Sequence, residues 1–315
     1  MPRPAPAGET ELGRILVTGA NGNLGRRLLA RLASSRPPRA VVRALVRSRA
    51  AAEALGGGPH EVRVVDWSDA AELARAAEGC DVAIHLVGIL KQTRRARYAE
   101  AHEGAARALA RAAAAAGIRR IVALSLLGAD PASPNACLGS RGRGDRLLLD
   151  GPVPVTLIRV GMVLGPGDTA SRALRGQALA PLLLLVRGGA ALYQPIDAEN
   201  VVDAVLGALT RPPAGSETLE LAGPESLPQR ELVRRVARLH GRRPRIVPLP
   251  LALARGAARI AERLLADPPV TEAMLEVLER DEAIDPAPAC RRLGLVLTPL
   301  DTTLRRSVGP DAEAA

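Results

Sequence analysis

The 315-residue chain predicts an α/β protein, a doubly wound parallel sheet followed by a smaller helix-rich C-terminal lobe. Three observations carry this fold class. Short β-rich apolar runs alternate with Ala/Arg/Leu-rich helical stretches through the first half of the chain, the pattern of βαβ units. Runs such as Ile15–Val17 and Ile84–Val87 are continuously apolar, as strands covered by helices on both faces must be. After Gly165-Pro166-Gly167 the alternation gives way to helices.

Taken in order, the strands are expected at Arg14–Thr18, Ala40–Val46, Glu61–Val65, Val82–Val87, Arg120–Leu124 and Val155–Arg159. The helices between them include Leu24–Ser34, Asp69–Ala77 and a long Tyr98–Ala116, which stops at Gly117, where a left-handed cap is wanted. The second half is expected to hold helices at Ala198–Leu209, Pro228–His240 and Leu249–Ala266, with Thr218–Leu221 as a short strand. The expected division is a leader at 1–11, a main domain at 12–165, a lobe at 166–306 interleaved with it, and a tail at 307–315. No internal repeat is evident.

Composition narrows the function classes. The net charge is +10, with Lys91 the single lysine, and the basic residues are spread along the chain rather than clustered. Single-stranded nucleic acids need stacking platforms, and a chain with no Phe, two Tyr and one Trp offers few, so no nucleic-acid partner is expected. The same charge suits an anionic membrane surface or an acidic protein. Cys80, Cys137 and Cys290 are odd in number and far apart, which argues against disulfides and for a reducing compartment. His60, His85, His102 and His240 show no metal-ligand spacing, and no metal is expected. The opening residues lack the apolar core of a signal peptide. The longest apolar run, Leu179–Val186, is interrupted by Pro181 and far shorter than the ~20 residues that span a bilayer. The expected location is the cytoplasm, with a peripheral place at the inner face of the membrane kept open.

The strongest chemical signal is the turn Gly19-Ala20-Asn21-Gly22-Asn23-Leu24-Gly25 between the first strand and the first helix. The first glycine permits the tight turn, the second lets backbone approach a pyrophosphate, and the third lets helix and strand pack closely. Helix N-terminal amides then face the phosphates. This is a dinucleotide site on a Rossmann-like sheet. From Arg26 to Ala52 there is no carboxylate to hold a ribose 2′-hydroxyl, whereas Arg43, Arg47 and Arg49 crowd the end of the second strand. A guanidinium there pairs with a 2′-phosphate, so NADP(H) is favoured over NAD(H), with Arg47 as the contact and Ser48 beside it.

These residues carry a resemblance. Thr18-Gly19-xx-Gly22-xx-Gly25, the strand Arg43-Ala44-Leu45-Val46-Arg47 and Asp66 resemble the extended and atypical short-chain dehydrogenases/reductases. The run His85-Leu86-Val87-Gly88-Ile89-Leu90 resembles a segment of the nucleotide-binding accessory subunit family of respiratory complex I and its bacterial relatives. Leu127-Gly128-Ala129-Asp130-Pro131, Val163-Leu164-Gly165-Pro166-Gly167-Asp168 and Glu220-Leu221-Ala222-Gly223-Pro224-Glu225 point the same way, so the resemblance covers about residues 12–305. It implies that Gly19, Asn21, Gly22, Asn23 and Leu24 meet the pyrophosphate, and Arg47 the 2′-phosphate. It also places Asp66 and Trp67 near the adenine, Leu86, Val87 and Gly88 along the ribose and nicotinamide, and Ser125 over the nicotinamide. His85 reads as a satisfied strand histidine.

The departure from that family is catalytic. Active members carry Tyr-xxx-Lys on the fifth helix, and here Cys137 stands at the Tyr position and Arg141 at the Lys position. Arginine still offers hydrogen bonds to a ribose. Cysteine is a poor proton donor in place of a phenol, and Cys137 reads as a small buried hydrophobe, so no catalytic residue is assigned. Two roles stay open. One is an accessory or redox-sensing NADP(H)-binding protein with little or no catalysis and a protein partner; the other is an NADPH-dependent oxidoreductase acting on a quinone, enone or related small acceptor. Arg255, Arg259 and Arg263, four apart, read as a solvated stripe on a packed helix, with an anionic membrane as the sharper alternative.

Overall fold

In a computed structural model, which describes residues 13–34, 40–66, 69–94, 96–211 and 215–313, the βαβ reading is realised strand by strand. The first half runs β1 (Arg14–Thr18), α1 (Asn23–Ser34), β2 (Val41–Val46), α2 (Arg49–Leu55), β3 (His60–Val64), α3 (Ala70–Ala77) and β4 (Val82–His85). It continues through α4 (Ala105–Ala115), β5 (Arg120–Leu126), α5 (Ala136–Leu149) and β6 (Val155–Val160). The expected leader and Trp67 lie outside the described residues.

The second half is less regular. It holds β7 (Val163–Leu164), α6 (Thr169–Leu179), β8 (Leu182–Val186), β9 (Leu192–Tyr193), β10 (Ile196–Asp197), α7 (Ala198–Thr210), β11 (Glu217–Leu221) and β12 (Leu227–Pro228). Then follow α8 (Gln229–Leu239), β13 (Arg245–Leu249), α9 (Leu251–Leu264), α10 (Glu272–Leu278), α11 (Ala287–Leu293) and α12 (Leu300–Val308).

The main sheet is parallel and seven-stranded in the order β11-β6-β5-β4-β1-β2-β3. The order reverses between β1 and β4, and a crevice at such a switch point is where this architecture binds ligands. Ile15, Leu16 and Val17 have no exposed surface, because one apolar cluster covers each face of the sheet. Each such side chain contributes about 1.5–3 kcal/mol by burial. α1 and α7 pack on one face, α3, α4 and α5 on the other.

Three boundaries differ from the sequence reading, each for a physical reason. The strand expected at Thr218–Leu221 is β11, which pairs with β6 and closes the main sheet rather than belonging to the lobe. The long fourth helix opens as a π-helical turn, Ala99–Gly104, a departure that apolar periodicity does not encode. Ser307 and Val308, expected in a tail, are the buried end of α12. The lobe's own cluster gathers α6, α8 and α12 around Leu174, Leu232, Val236 and Leu304.

Candidate functional site

Gly19 follows β1 with φ +73°, in the left-handed region, and a Cβ there would come within 3.0–3.1 Å of the Leu86 carbonyl group and the Val87 nitrogen. Only glycine lets the turn pass against the end of β4. The Gly22 N–H donates to the Gly19 carbonyl at 3.1 Å. A Cβ on Gly25 would lie 2.4 Å from the Ala20 carbonyl oxygen and 2.6 Å from that of Gly19, so the third glycine is fixed by helix-to-strand contact. Helix α1 carries no acidic residue in its first turn, and its leading amides have no intrahelical partner. Asn21 and Gly22 are exposed, Asn23 and Leu24 half-buried. The result is a bare, electropositive backbone cradle at the switch point, which fits a pyrophosphate.

Behind the cradle, α1 is tied to α7. Arg27 pairs with Glu199 at 2.8 Å and donates to the Pro166 carbonyl at 2.7 Å, while Arg31 bridges Glu199 and Asp203 at 2.7 and 2.8 Å. The acids of α7 therefore turn toward α1, and Asp197 caps that helix by accepting the Glu199 N–H.

At the end of β2 the three arginines separate. Arg43 is buried within the strand, bonded to Glu61 of β3 at 2.8 Å and to the Ala76 and Glu78 carbonyls at the end of α3. It is removed from the anion candidates, because alternation along β2 sends it into the sheet's helix layer. Arg47, Ser48 and Arg49 are exposed just past the strand. Ser48 caps α2 by accepting the Ala51 N–H at 3.1 Å, which leaves its O–H free to donate. Asp66 is exposed at the end of β3, and its N–H donates to Glu72.

The end of β4, the end of β5 and the start of α5 form a polar network with few open ends. Arg141 is 5% exposed; its Nη1 donates to the Val87 carbonyl at 2.6 Å, its Nε to Ser125 Oγ at 3.1 Å, and Asp145 lies 3.5 Å away. Ser125 donates to Asp145 at 2.7 Å, so its hydroxyl is engaged on both sides rather than open to the cleft. Burial pushes the Asp145 carboxyl up, and Arg141, Ser125 and Arg159 push it back. The guanidinium lies against exposed Gly88, where a Cβ would sit 2.9 Å from Nη1. Leu86 and Val87 are half-buried between this network and the turn.

Cys137 has no exposed surface; its thiol donates to the Ile89 carbonyl at 3.7 Å, and burial pushes it up to about 11. The hydrogen bond with Tyr98 and the nearby Arg141 lower it too little to offset that. A neutral, enclosed thiol is not a proton donor to a cleft. Around it sit residues the sequence reading passed over. His102, on the π turn, stacks on Tyr98 with centroids 5.5 Å apart. His102 Nδ1 lies 2.8 Å from Ser140 Oγ, and its Nε2 faces the Ile89 peptide, 3.0 Å from the carbonyl oxygen and 3.2 Å from the nitrogen. Burial, then Arg141, brings His102 down to about 4. His85, bonded to Thr18 at 2.8 Å, falls to about 3 for the same reasons. The spacing of Arg141 and Asp145, and of Tyr98 and His102, at i,i+4 was the available signal for this network.

A cavity of about 210 Å³ lies elsewhere, between α8 and α12, and its Arg235 and Arg238 are already engaged by Glu225 and Glu231. Among the described residues no group of His, Cys, Asp and Glu is placed to hold a metal, and no helix is long and apolar enough to cross a membrane.

Comparison with known proteins places this geometry. The model of NAD(P)H-binding proteins matches residues 19–175, from the first glycine of the turn into α6. A ceramide reductase of Caulobacter vibrioides is 29% identical over 240 residues, 76% of this chain and 74% of that protein. The (4-alkanoyl-5-oxo-2,5-dihydrofuran-3-yl)methyl phosphate reductase of Streptomyces griseus is 30% identical over 267 residues, 84% of this chain and 86% of that one. Subunit 9 of the NADH dehydrogenase (ubiquinone) 1 alpha subcomplex of Arabidopsis thaliana is 28% identical over 184 residues, 56% of this chain but only 45% of that subunit. With its glycine cradle at the switch point of a seven-stranded parallel sheet, the chain belongs to the NAD(P)H-binding, atypical short-chain dehydrogenase/reductase family.

Proposed function

We propose that the chain is an NADPH-dependent reductase of a conjugated acceptor, a quinone or an enone, whose proton comes from water rather than from the protein. The observation that carries this reading is the pairing of an intact cradle with an enclosed Cys137 thiol. When bound, the dinucleotide supplies the hydride. Gly19, Asn21, Gly22, Asn23 and Leu24 hold its pyrophosphate, Arg47 and Ser48 its 2′-phosphate, and Asp66 stands toward the adenine. Leu86, Val87 and Gly88 flank the ribose and nicotinamide, with the Arg141 guanidinium fixed beside Gly88 as a permanent positive charge. Reduction of a simple ketone builds an alkoxide that needs a proton donor in place. A conjugated acceptor instead spreads the charge of the incoming hydride into an enolate or hydroquinone anion, which Arg141 can stabilise and water can protonate. The relative named as a reductase of an oxo-dihydrofuran has an unsaturated lactone in its substrate's name, which supports this acceptor class.

The accessory or redox-sensing role is the second reading, favoured by the neutral, buried state of Cys137 and His102 and by the likeness to a respiratory subunit. One experiment separates the two. Melting is followed with NADPH and NADH, and NADPH oxidation is assayed with a benzoquinone and with an unconjugated ketone. Stabilisation by NADPH of about 2.7 kcal/mol at a hundredfold excess over Kd, with turnover on the quinone and none on the ketone, is the expected result. Arg47→Asp should erase the NADPH preference. Equal shifts with both dinucleotides remove the 2′-phosphate argument, and a preserved shift without quinone turnover leaves the accessory role.

A further inference from the structure

One face of the lobe has the opposite character from the rest of the surface. Strands β8 and β13 form a separate two-stranded parallel sheet, paired from Leu182 with Arg245 to Val186 with Leu249. Along β8 the alternation is clear: Leu185 is buried and Leu183 packs on the lobe's cluster, while Leu182 and Leu184 are each 56% exposed. Val247 and Leu249, half-buried, lie beside Leu184 and Val186, so the outer face of this sheet is aliphatic.

The rim of that face is basic where β13 begins, and at the end of β8 Arg187 lies near Glu279. Between Asp168 and Asp197, and again between Glu231 and Glu262, the chain has no Asp or Glu. Arg242, Arg243 and Arg245 are exposed where β13 begins, and none makes an ion pair among the described residues. Arg187 is exposed where β8 ends, held at φ 48° ahead of Gly188 and Gly189, a left-handed conformation that costs an arginine of order 1 kcal/mol. Some exposed arginines elsewhere are tied to neighbours, as Arg259 is to Glu272 and Arg143 to Glu103, and others such as Arg107 and Arg111 are not among the described residues, so it is the exposed aliphatic centre beside them that sets Arg242, Arg243 and Arg245 apart. Helix α9 also exposes apolar side chains, Leu253, Ile260 and Leu264, but Arg255 and Arg259 pair with Glu276 and Glu272 of α10, which leaves Arg263 as its one arginine without an ion pair among the described residues, against three where β13 begins.

We propose that the β8–β13 face docks on an anionic lipid bilayer, its leucines entering the headgroup boundary and Arg242, Arg243 and Arg245 pairing with lipid phosphates. Charge complementarity names the occupant. Free guanidiniums around an aliphatic centre match a surface that is anionic at its headgroups and apolar just beneath. A protein interface of this size is typically anchored by aromatic side chains, and this face has none. Pro248 lacks an N–H and Pro244 and Pro250 flank β13, which denies that edge to an added strand. This docking does not depend on the acceptor assigned above.

The test is co-sedimentation of the full chain with vesicles of phosphatidylcholine alone, or with one part phosphatidylglycerol in three. Binding only to the anionic vesicles, weakened by salt, is expected. Arg242→Glu/Arg243→Glu/Arg245→Glu should lower it about a hundredfold, at roughly fivefold per arginine. Leu182→Asp/Leu184→Asp should also lower it, while both variants keep the wild-type melting temperature and NADPH shift. Equal binding to neutral vesicles, or full binding by either folded variant, overturns the proposal. So does a wild-type dimer in solution that Leu182→Asp/Leu184→Asp converts to monomer, which would make the face a contact between two copies.

Discussion

The Gly19–Gly25 turn and the first half of α5 sit at the same C-terminal edge of one sheet, yet they are specified in different ways. The turn is defined by what is missing, a Cβ at Gly19 and Gly25 and an acid in the first turn of α1. Its function is carried by backbone, so a side chain added at Gly19 or Gly25 is what blocks it. The α5 region is defined by side chains, and there one chemistry can replace another while the helix stays in place. Cys137 and Arg141 show the outcome: both are packed and bonded, and neither offers a proton to a cleft. A binding site held by backbone outlasts a catalytic site held by two side chains, and the pair of regions lets each be tested against the other.

The sharpest break is expected from Asp145→Ala. That change leaves Arg141 buried without its counter-ion, with the Ser125 O–H beside it deprived of its acceptor, and should lower stability by about 3–5 kcal/mol in denaturant unfolding. A loss below about 1 kcal/mol would mean that the α5 network does not hold this edge together. On the other side of the comparison, Gly25→Ala forces a methyl to 2.4 Å from a backbone carbonyl oxygen. It should cost about 1–3 kcal/mol and abolish the NADPH-induced shift in melting. If Gly25→Ala keeps that shift, the cradle is not where the pyrophosphate binds.

A smaller, graded effect comes from the two neutral histidines. His85 and His102 stay unprotonated in the folded chain down to about 3 and about 4, below their ordinary value of 6.5. Below pH 6.5 the unfolded chain therefore binds more protons, and stability falls with pH. Each histidine should remove about 1.4 kcal/mol per pH unit between roughly pH 6 and its folded value, with the contribution fully present above pH 6.5. His102→Gln should reduce the slope measured between pH 6 and 4.5. An unchanged slope would show that His102 is accessible to protons, and with it the cleft beside Arg141.

The difference between the two regions also decides what was legible in the sequence. The six strands of the first half and the turn between β1 and α1 could be read because continuous apolarity and glycine spacing are local. β11 could not be placed, since its pairing with β6 is a contact some sixty residues away in sequence. Arg43 and Arg47 are four apart and share a strand parity, and only the end of β2 at Val46 separates the buried one from the exposed one. Asp145, His102 and Ser140 were missed because their roles arise where β4, the π turn and α5 converge. Function at the cradle is written in consecutive residues, whereas the α5 network is written in residues brought together by folding.

Cys137→Ser is the mildest change and the most direct on catalysis. The thiol's hydrogen bond to Ile89, at 3.7 Å, is weak, and a hydroxyl of similar shape can make it, and the contact with Tyr98, at least as well. Stability should change by about 1 kcal/mol or less. If the acceptor's proton comes from water, NADPH oxidation by a quinone should change by less than about twofold, under about 0.5 kcal/mol of barrier. Serine is itself a weak acid, so a proton delivered by the thiol would be lost with it, and the rate would fall by the 10²–10⁴ typical of general acid catalysis, roughly 3–5 kcal/mol. The two outcomes are far enough apart that one kinetic measurement decides whether Cys137 fills space at the edge of the cofactor site or acts in it.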